Sequence, residues 1–308
     1  MNKKIAVIGA GNVGASVAQY AAEANFADVV MIDIIEGMPQ GKALDLTQAG
    51  PVRGYNGMVT GSNDFKDIKG ADIVIMTAGL ARKPGMSRED LLNMNADIVR
   101  SAAENIKKHA PKAFVIVVSN PLDIMTYHMW KVTGFPQNRV LGQAGVLDST
   151  RFRAFVAMEL GVAMRDVNAM VLGGHGDTMV PLPAYTTVAG IPIKEFIDAK
   201  RIKEIVERTR FGGGEIVKLL KTGSAYYAPA ASTIEMARAI LTDEKRVLPC
   251  SCYLDGQYGI KDIYIGVPAI LGGNGVEKVI ELQLSKKDLA DLQKSATNYK
   301  GVLKEIGY

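Results

Sequence analysis

Four runs in the first part of the chain, Ile5-Ala6-Val7-Ile8, Val29-Val30-Met31-Ile32, Ile73-Val74-Ile75-Met76 and Phe114-Val115-Ile116-Val117-Val118, are apolar at every position and stand apart by stretches of helical pattern. A strand with one wet face alternates polar and apolar residues, so runs that are apolar throughout must be covered on both faces. Such strands, each followed by a helical pattern, describe βαβ units and a parallel sheet between two layers of helices. The first connecting helix is expected from Asn12 to Ala24. After about residue 143 the rhythm changes to a helix near Ser149 to Leu160, a strand from Val167 to Leu172, and further strand and helix signals. This change reads as a second domain, dividing the chain into residues 1–143 and 144–308. Gly212-Gly213-Gly214 interrupts an otherwise helical stretch from Ile202 to Leu220 and predicts a break or hinge, because glycine weakens a helix interior. From Lys286 to Ile306, Leu289, Leu292, Ala296, Tyr299 and Leu303 recur at helical spacing and predict a docked amphipathic helix.

The 308 residues suffice for more than one core, and 48% hydrophobic with 22% charged residues is a globular rather than a disordered or fibrous composition. The net charge of +4 is spread without a basic run, so no nucleic acid partner is expected. The two cysteines, Cys250 and Cys252, lie in a stretch that reads as a strand and are expected on its opposite faces, with no disulfide framework. Neither cysteine is near a histidine in sequence, and no metal site is expected. An apolar strand begins directly after Met1-Asn2-Lys3-Lys4, leaving no length for a signal peptide, and no apolar run approaches the roughly 18 residues of a membrane span. The expectation is a cytoplasmic protein without a membrane partner.

Between the first strand and its helix stands Gly9-Ala10-Gly11-Asn12-Val13-Gly14, and Asp33 ends the second strand. Gly9 permits the tight turn, Gly11 lets a pyrophosphate approach the backbone, and Gly14 lets helix and strand pack closely. The helix start offers free N–H groups and a positive dipole end to phosphates. Alone, the pattern also describes a structural turn; in its βαβ setting it describes a dinucleotide site on a Rossmann doubly wound parallel sheet. Asp33 can accept ribose hydroxyls and would repel a 2′-phosphate, which favours NAD over NADP.

Three further clusters bear chemistry. His175 stands among glycines in Gly173-Gly174-His175-Gly176-Asp177 after an apolar strand, free to reach into a cleft, whereas His109 and His128 read as structural. Asp148-Ser149-Thr150-Arg151 aims a carboxylate and a guanidinium to one side of a helix start, as either a site pair or a cap with a surface ion pair. The segment from Ala78 to Leu92 carries Arg82, Lys83 and Arg88 with Pro84 and two glycines, as either a cationic loop that closes over an anionic substrate or an exposed turn. Ser119-Asn120-Pro121 adds an amide at the edge where open α/β sheets bind ligands.

In this order, together with Leu122-Asp123, Leu147 and Gly223-Ser224-Ala225-Tyr226-Tyr227-Ala228-Pro229, these motifs resemble those of the 2-hydroxy-acid dehydrogenases, the family of malate and lactate dehydrogenases, over essentially the whole chain. The resemblance implies an α/β chain in which a Rossmann domain is followed by an α+β substrate domain. It also implies hydride transfer between NAD and a 2-hydroxy acid. His175 would donate and accept the proton, Asp148 would hold its ring, and Arg88 would polarise the substrate C2 oxygen. Arg151 would grip the C1 carboxylate, and Asn120 would orient substrate and nicotinamide. Cofactor contacts would come from Gly9, Gly11, Asn12, Val13, Gly14, Asp33, Asn95, Ser119 and Asn120.

At the position of Arg82, lactate dehydrogenases commonly carry Gln and malate dehydrogenases Arg. The second carboxylate of malate or oxaloacetate needs a cation there, whereas pyruvate would leave the arginine desolvated and unpaired. Malate and oxaloacetate are therefore the expected substrates, with a lactate dehydrogenase or broad 2-keto-acid reductase as the alternative. Ala225, where lactate dehydrogenases tend to carry Thr, leaves room for the longer acid. Within the family the chain is most similar to the lactate-dehydrogenase-like malate dehydrogenases of prokaryotes, which implies a homotetramer or homodimer.

Overall fold

The structure is a computed structural model and describes residues 3–80 and 87–308, with Arg88 described by its backbone alone. The four apolar runs form β1 (Lys3–Ile8), β2 (Ala27–Ile32), β4 (Ile73–Met76) and β5 (Phe114–Val117); β3 (Val59–Ser62) and β6 (Val140–Gly142) flank them. These six strands are parallel in the order β3-β2-β1-β4-β5-β6. They are apolar throughout because helices α1 (Asn12–Ala24), α2 (Met38–Arg53), α3 (Arg88–His109) and α4 (Leu122–Thr133) cover the sheet. Ile5, Val7, Ile73, Ile75, Val115 and Val117 are accordingly buried at its centre. The direction of winding reverses between β1 and β4, which opens a crevice beyond their C-terminal ends.

Helix α1 has the expected bounds. It buries Val17, Ala18, Ala21 and Ala22 and ends on Asn25, whose left-handed backbone (φ 56°) lets its N–H reach the Ala22 carbonyl. Helix α3 starts at Arg88 because Ser87 and Asp90 cap it reciprocally: the Ser87 hydroxyl accepts the Asp90 N–H at 3.0 Å, and the Asp90 carboxylate accepts the Ser87 N–H at 3.2 Å.

The second half begins with α5 (Ala144–Leu160). The expected strand from Val167 to Leu172 is divided into β7 (Val167–Asn168) and β8 (Val171–Leu172) because its two ends take different partners. β8 pairs with β9 (Val180–Pro181), while β7 pairs with β10 (Thr187–Val188), which also pairs with β11 (Ile191–Pro192). Then follow α6 (Ala199–Leu220), α7 (Tyr227–Leu241), β12 (Arg246–Asp255), β13 (Lys261–Gly272), β14 (Gly275–Val279) and α8 (Lys286–Glu305). β12 joins β6 antiparallel through Ser251 and Gly142, so β12, β13 and β14 extend the parallel sheet to nine strands. A second core of Phe152, Val156, Val167, Met179, Val188 and Ile205 lies under α5 and α6.

Two local expectations are corrected. The three glycines do not break α6, which runs without interruption from Ala199 to Leu220. A side-chain carbon on Gly212 would lie 3.4 Å from Arg151 Cδ, and one on Gly213 would lie 3.4 Å from Arg151 Nη2, so these glycines let α6 approach α5 at Arg151. Cys250 and Cys252 share one face of β12, with buried thiols whose sulfurs are 3.4 Å apart. Strand side chains alternate, and residues two apart point the same way.

Helix α8 forms as expected, capped by Ser285 and burying Leu292, Ala296 and Leu303. Among the described residues no helix is long and apolar enough to cross a membrane.

Candidate active site

The glycine turn at the end of β1 is built as its spacing demands. Gly9 adopts φ 99°, and a side-chain carbon on Gly14 would stand 1.8 Å from the Gly9 carbonyl oxygen. Gly11 is the N-cap of α1 and offers the helix no side-chain cap; the first turn, with Asn12, Val13 and Gly14, holds no acidic residue. A side-chain carbon on Gly11 would meet nothing within 4 Å, so open space lies before a helix end with free N–H groups. A pyrophosphate fits that cradle. Asp33 borders it, accepting the Ala10 N–H at 2.7 Å on one oxygen and the Ile35 N–H at 3.0 Å on the other, and each oxygen keeps a lone pair for a ribose hydroxyl. Ile34 and Ile35 beside it are exposed and give an apolar shelf for a base. Gly14→Ala is expected to cost about 1–3 kcal/mol of stability and to weaken dinucleotide binding, because strand and helix must separate to admit the methyl group. Thermal unfolding and NADH fluorescence titration measure both effects.

At the ends of β4 and β5, Ser119 donates to the Ala78 carbonyl at 2.5 Å. Asn95 is buried and its amide stays within the protein: Oδ1 accepts the Leu80 N–H at 2.7 Å and Nδ2 donates to the Asn120 carbonyl at 3.0 Å. Asn95 therefore ties the start of the cationic segment to Asn120, whose own side chain is exposed at the crevice. Arg82 lies outside the described residues. Arg88 opens α3 directly after its capping serine.

Across the crevice, α5 and the loop after β8 bring together the three residues expected there. His175 Nδ1 lies 3.0 Å from Asp148 Oδ2, and Arg151 Nη1 lies 3.3 Å from Asp148 Oδ1. Asp148 is buried, while His175 and Arg151 keep only narrow openings. With Nδ1 donating to the carboxylate, Nε2 is the ring nitrogen left for a proton transfer. Burial works to lower the pKa of His175, but the Asp148 carboxylate outweighs it, through charge and then through its hydrogen bond, and the imidazole is held above its ordinary value. Burial draws the Arg151 guanidinium below its ordinary value, against the pull of Asp148. Arg151 Nε is buried without a hydrogen-bond partner among the described residues. A carboxylate bound at this guanidinium would satisfy that donor.

The structure adds a residue to which sequence reasoning had assigned no role. Asp123 in α4, 1% exposed, accepts the backbone N–H of His175 at 2.8 Å and the hydroxyl of Ser251 at 2.6 Å. Its sequence signals are a place in the motif from Ser119 to Asp123 and a carboxylate in a helical run that is otherwise mostly apolar. Burial pushes its carboxyl up to about 6, opposed by the hydrogen bonds from Ser251 and the His175 backbone. A carboxyl raised on folding contributes its full stability below its ordinary value and loses it as the pH rises through about 6, so ionised Asp123 costs about 3 kcal/mol at neutral pH. His128, read as structural, is buried with its ring nitrogens on the Ala96 carbonyl and the Tyr308 hydroxyl.

Comparison with known proteins agrees with this geometry. Residues 3–142 match the family profile described as lactate/malate dehydrogenase, NAD binding domain, and residues 145–307 match lactate/malate dehydrogenase, alpha/beta C-terminal domain. A malate dehydrogenase of Roseiflexus sp. (strain RS-1) is 58% identical over 96% of each chain. The 1.55 Å structure of malate dehydrogenase from Salinibacter ruber superposes with a TM-score of 0.95 at 53% identity, covering 98% of this chain and 97% of that one. A lactate dehydrogenase from Cryptosporidium parvum, solved with lactic acid and nicotinamide adenine dinucleotide, superposes with a TM-score of 0.96 at 46% identity, covering 100% and 99%.

Proposed function

Because the chain belongs to the lactate/malate dehydrogenase family, we propose that it catalyses the reversible, NAD-dependent oxidation of (S)-malate to oxaloacetate. The observation that carries the reading is the buried Nε of Arg151, without a partner among the described residues, next to the His175–Asp148 couple: an anion grip and a proton acceptor on one wall of the crevice. NAD, when bound, supplies the acceptor for the hydride that leaves C2. The α1 N-terminus with Gly9, Gly11, Asn12, Val13 and Gly14 would hold its pyrophosphate, Asp33 a ribose, and Ser119 and Asn120 the nicotinamide side, with Asn95 bracing Asn120.

Arg151 binds the C1 carboxylate through its guanidinium fork and so fixes the C2 hydroxyl toward His175. Neutral His175 takes the hydroxyl proton on Nε2, and Asp148 stabilises the imidazolium that forms. The C2–O bond becomes a carbonyl, and Arg88 stabilises the charge on its oxygen. In the reverse direction protonated His175 returns the proton to that oxygen. Closure of the segment bearing Arg82 and Arg88 expels water and strengthens these contacts.

Arg82 selects the substrate by pairing with the second carboxylate. Arg82→Gln is expected to lower kcat/KM for oxaloacetate relative to pyruvate by about a hundredfold or more, since a cation left unpaired in a closed site costs about 3–5 kcal/mol. Oxidation of NADH with each keto acid at matched concentrations tests the reading. A strong preference for oxaloacetate supports it, and equal or better turnover of pyruvate makes the protein a lactate dehydrogenase or broad 2-keto-acid reductase.

On this reading residues 1–143 bind NAD and lend Arg82, Arg88 and Asn120 to the substrate, residues 144–308 supply Asp148, Arg151 and His175, and the enzyme acts in the cytoplasm. It assembles as a homodimer or homotetramer, a reading supported by exposed Leu44 and Val52 on α2, Leu219 on α6 and Tyr227 on α7.

A further inference from the structure

The loop that carries His175 has little stiffness of its own. Gly173 and Gly176 adopt φ 86° and 146°, conformations that side chains rarely take, and glycines flank the histidine on both sides. A ring that must meet a hydroxyl within hydrogen-bond reach cannot be placed by such a loop alone. The surrounding elements hold its backbone instead. Gly173 pairs with Gly266 of β13, with N–H to carbonyl distances of 2.9 and 3.2 Å. The Gly174 N–H donates to Ser295 Oγ at 3.0 Å, and the Tyr299 hydroxyl donates to the His175 carbonyl at 3.0 Å, both from α8. A side-chain carbon on Gly174 would lie 2.0 Å from Tyr299 Cε2, so the tyrosine ring lies directly against the loop. From the opposite side Asp123 takes the His175 N–H, and its other oxygen is held by Ser251 of β12.

We propose that Asp123 is a positioning residue for the reaction: with Tyr299 at the other end of the same peptide segment it sets where His175 stands. The catalytic histidine then answers to two carboxylates, Asp148 on its ring and Asp123 at its backbone. This proposal rests on the assignment of His175 as the acid and base made above.

The groups around the imidazole bear this out. Asp148 and Arg151 face it from α5, Asp123 from α4 and Tyr299 from α8; Asp177 lies on its own loop, and β12 contributes the uncharged Ser251. Asp123 adds to the pull of Asp148 in favour of the imidazolium, while Arg151 opposes it. Asp123 pairs with no lysine or arginine among the described residues, and the protonated His175 is the cation beside it.

The test is steady-state kinetics of the full chain with NADH and oxaloacetate across pH, for Asp123→Asn and Tyr299→Phe. Asn has the same shape and can still accept the His175 N–H, but carries no charge. For Asp123→Asn we expect kcat to fall about ten- to a hundredfold with KM for NADH unchanged. The alkaline limb of kcat/KM for oxaloacetate moves to lower pH, because the imidazolium gives up its proton more readily without the neighbouring charge. Tyr299→Phe lowers kcat and leaves the limb where it is, since only the hold on the backbone is lost. An Asp123→Asn enzyme with wild-type kcat overturns the proposal, and so does one whose KM for NADH worsens together with kcat. If that variant does not fold, Tyr299→Phe and Ser251→Ala decide: a loss of kcat with KM for NADH intact in both supports the proposal, and wild-type kcat in both overturns it. A wild-type protein that fails to oxidise NADH with oxaloacetate defeats the underlying assignment instead, which is a distinct result.

Discussion

His175→Asn is expected to lower kcat for oxaloacetate reduction by about two to four orders of magnitude while NADH binding stays as it was. General acid and base catalysis by one placed side chain contributes an effect of that size. An asparagine amide can fill the space and keep a hydrogen bond, but it cannot gain and lose a proton near neutral pH. The dinucleotide cradle is made by β1, α1 and Asp33, so it should not register the change. Stopped-flow turnover and NADH fluorescence titration separate the two quantities, and wild-type turnover would remove His175 from the mechanism.

The pH dependence of the unmodified enzyme follows from the same residue. Reduction needs protonated His175 and oxidation needs it neutral. Its pKa lies above the ordinary 6.5 because Asp148 outweighs burial, so oxaloacetate reduction persists to higher pH than a free imidazole would allow. Malate oxidation rises as reduction falls, through the same value. A malate limb centred below 6.5 would show that Asp148 does not act on the ring as its 3.0 Å contact implies.

Arg151→Gln is expected to lower kcat/KM for oxaloacetate by about two to three orders of magnitude, mostly as a rise in KM. Removing one partner of a desolvated, hydrogen-bonded charge pair costs about 2–5 kcal/mol, and the guanidinium offers a carboxylate two parallel donors that an amide cannot match. Lysine would restore the charge without the fork, so Arg151→Lys should recover only part of the loss. Gly212 and Gly213 of α6 come so close to Arg151 that side chains there would crowd it, and this packing holds the guanidinium in place. Tartronate, a dicarboxylate that keeps both anionic ends, gives the ground-state component by direct titration. Unchanged tartronate affinity in Arg151→Gln would place the carboxylate grip elsewhere.

Much of this site is legible in local pattern because its chemistry sits at element ends. Gly9 to Gly14 with Asp33 reads as a dinucleotide turn once it is set between a strand and a helix of a βαβ unit, and the bounds of α1 and α8 follow from helical periodicity. Patterns of this kind are short-range: three glycines and an acid at set distances, or apolar residues every three or four positions. The uninterrupted run of α6 was not legible, because a glycine triplet weakens an isolated helix and only the facing surface of α5 explains its presence. Cys250 and Cys252 share a face, contrary to the expectation of opposite faces, because strand alternation points residues two apart the same way.

The parallel strands themselves, the helices between them and the turn from Gly9 to Gly14 were thus set by residues near one another in the chain, where backbone geometry dictates what a spacing means, while the roles of Asp148, Arg151 and His175 came with the family resemblance. The joining of β12 to β6 depended on folding as a whole, as did the meeting of Asp123 with His175 and the closure of Tyr299 over the glycine loop. These contacts link residues 109, 52 and 124 positions apart. No local propensity encodes such distances; they form only when buried apolar surface draws the sheet, α4 and α8 into one core, and that core decides which carboxylate stands behind the histidine.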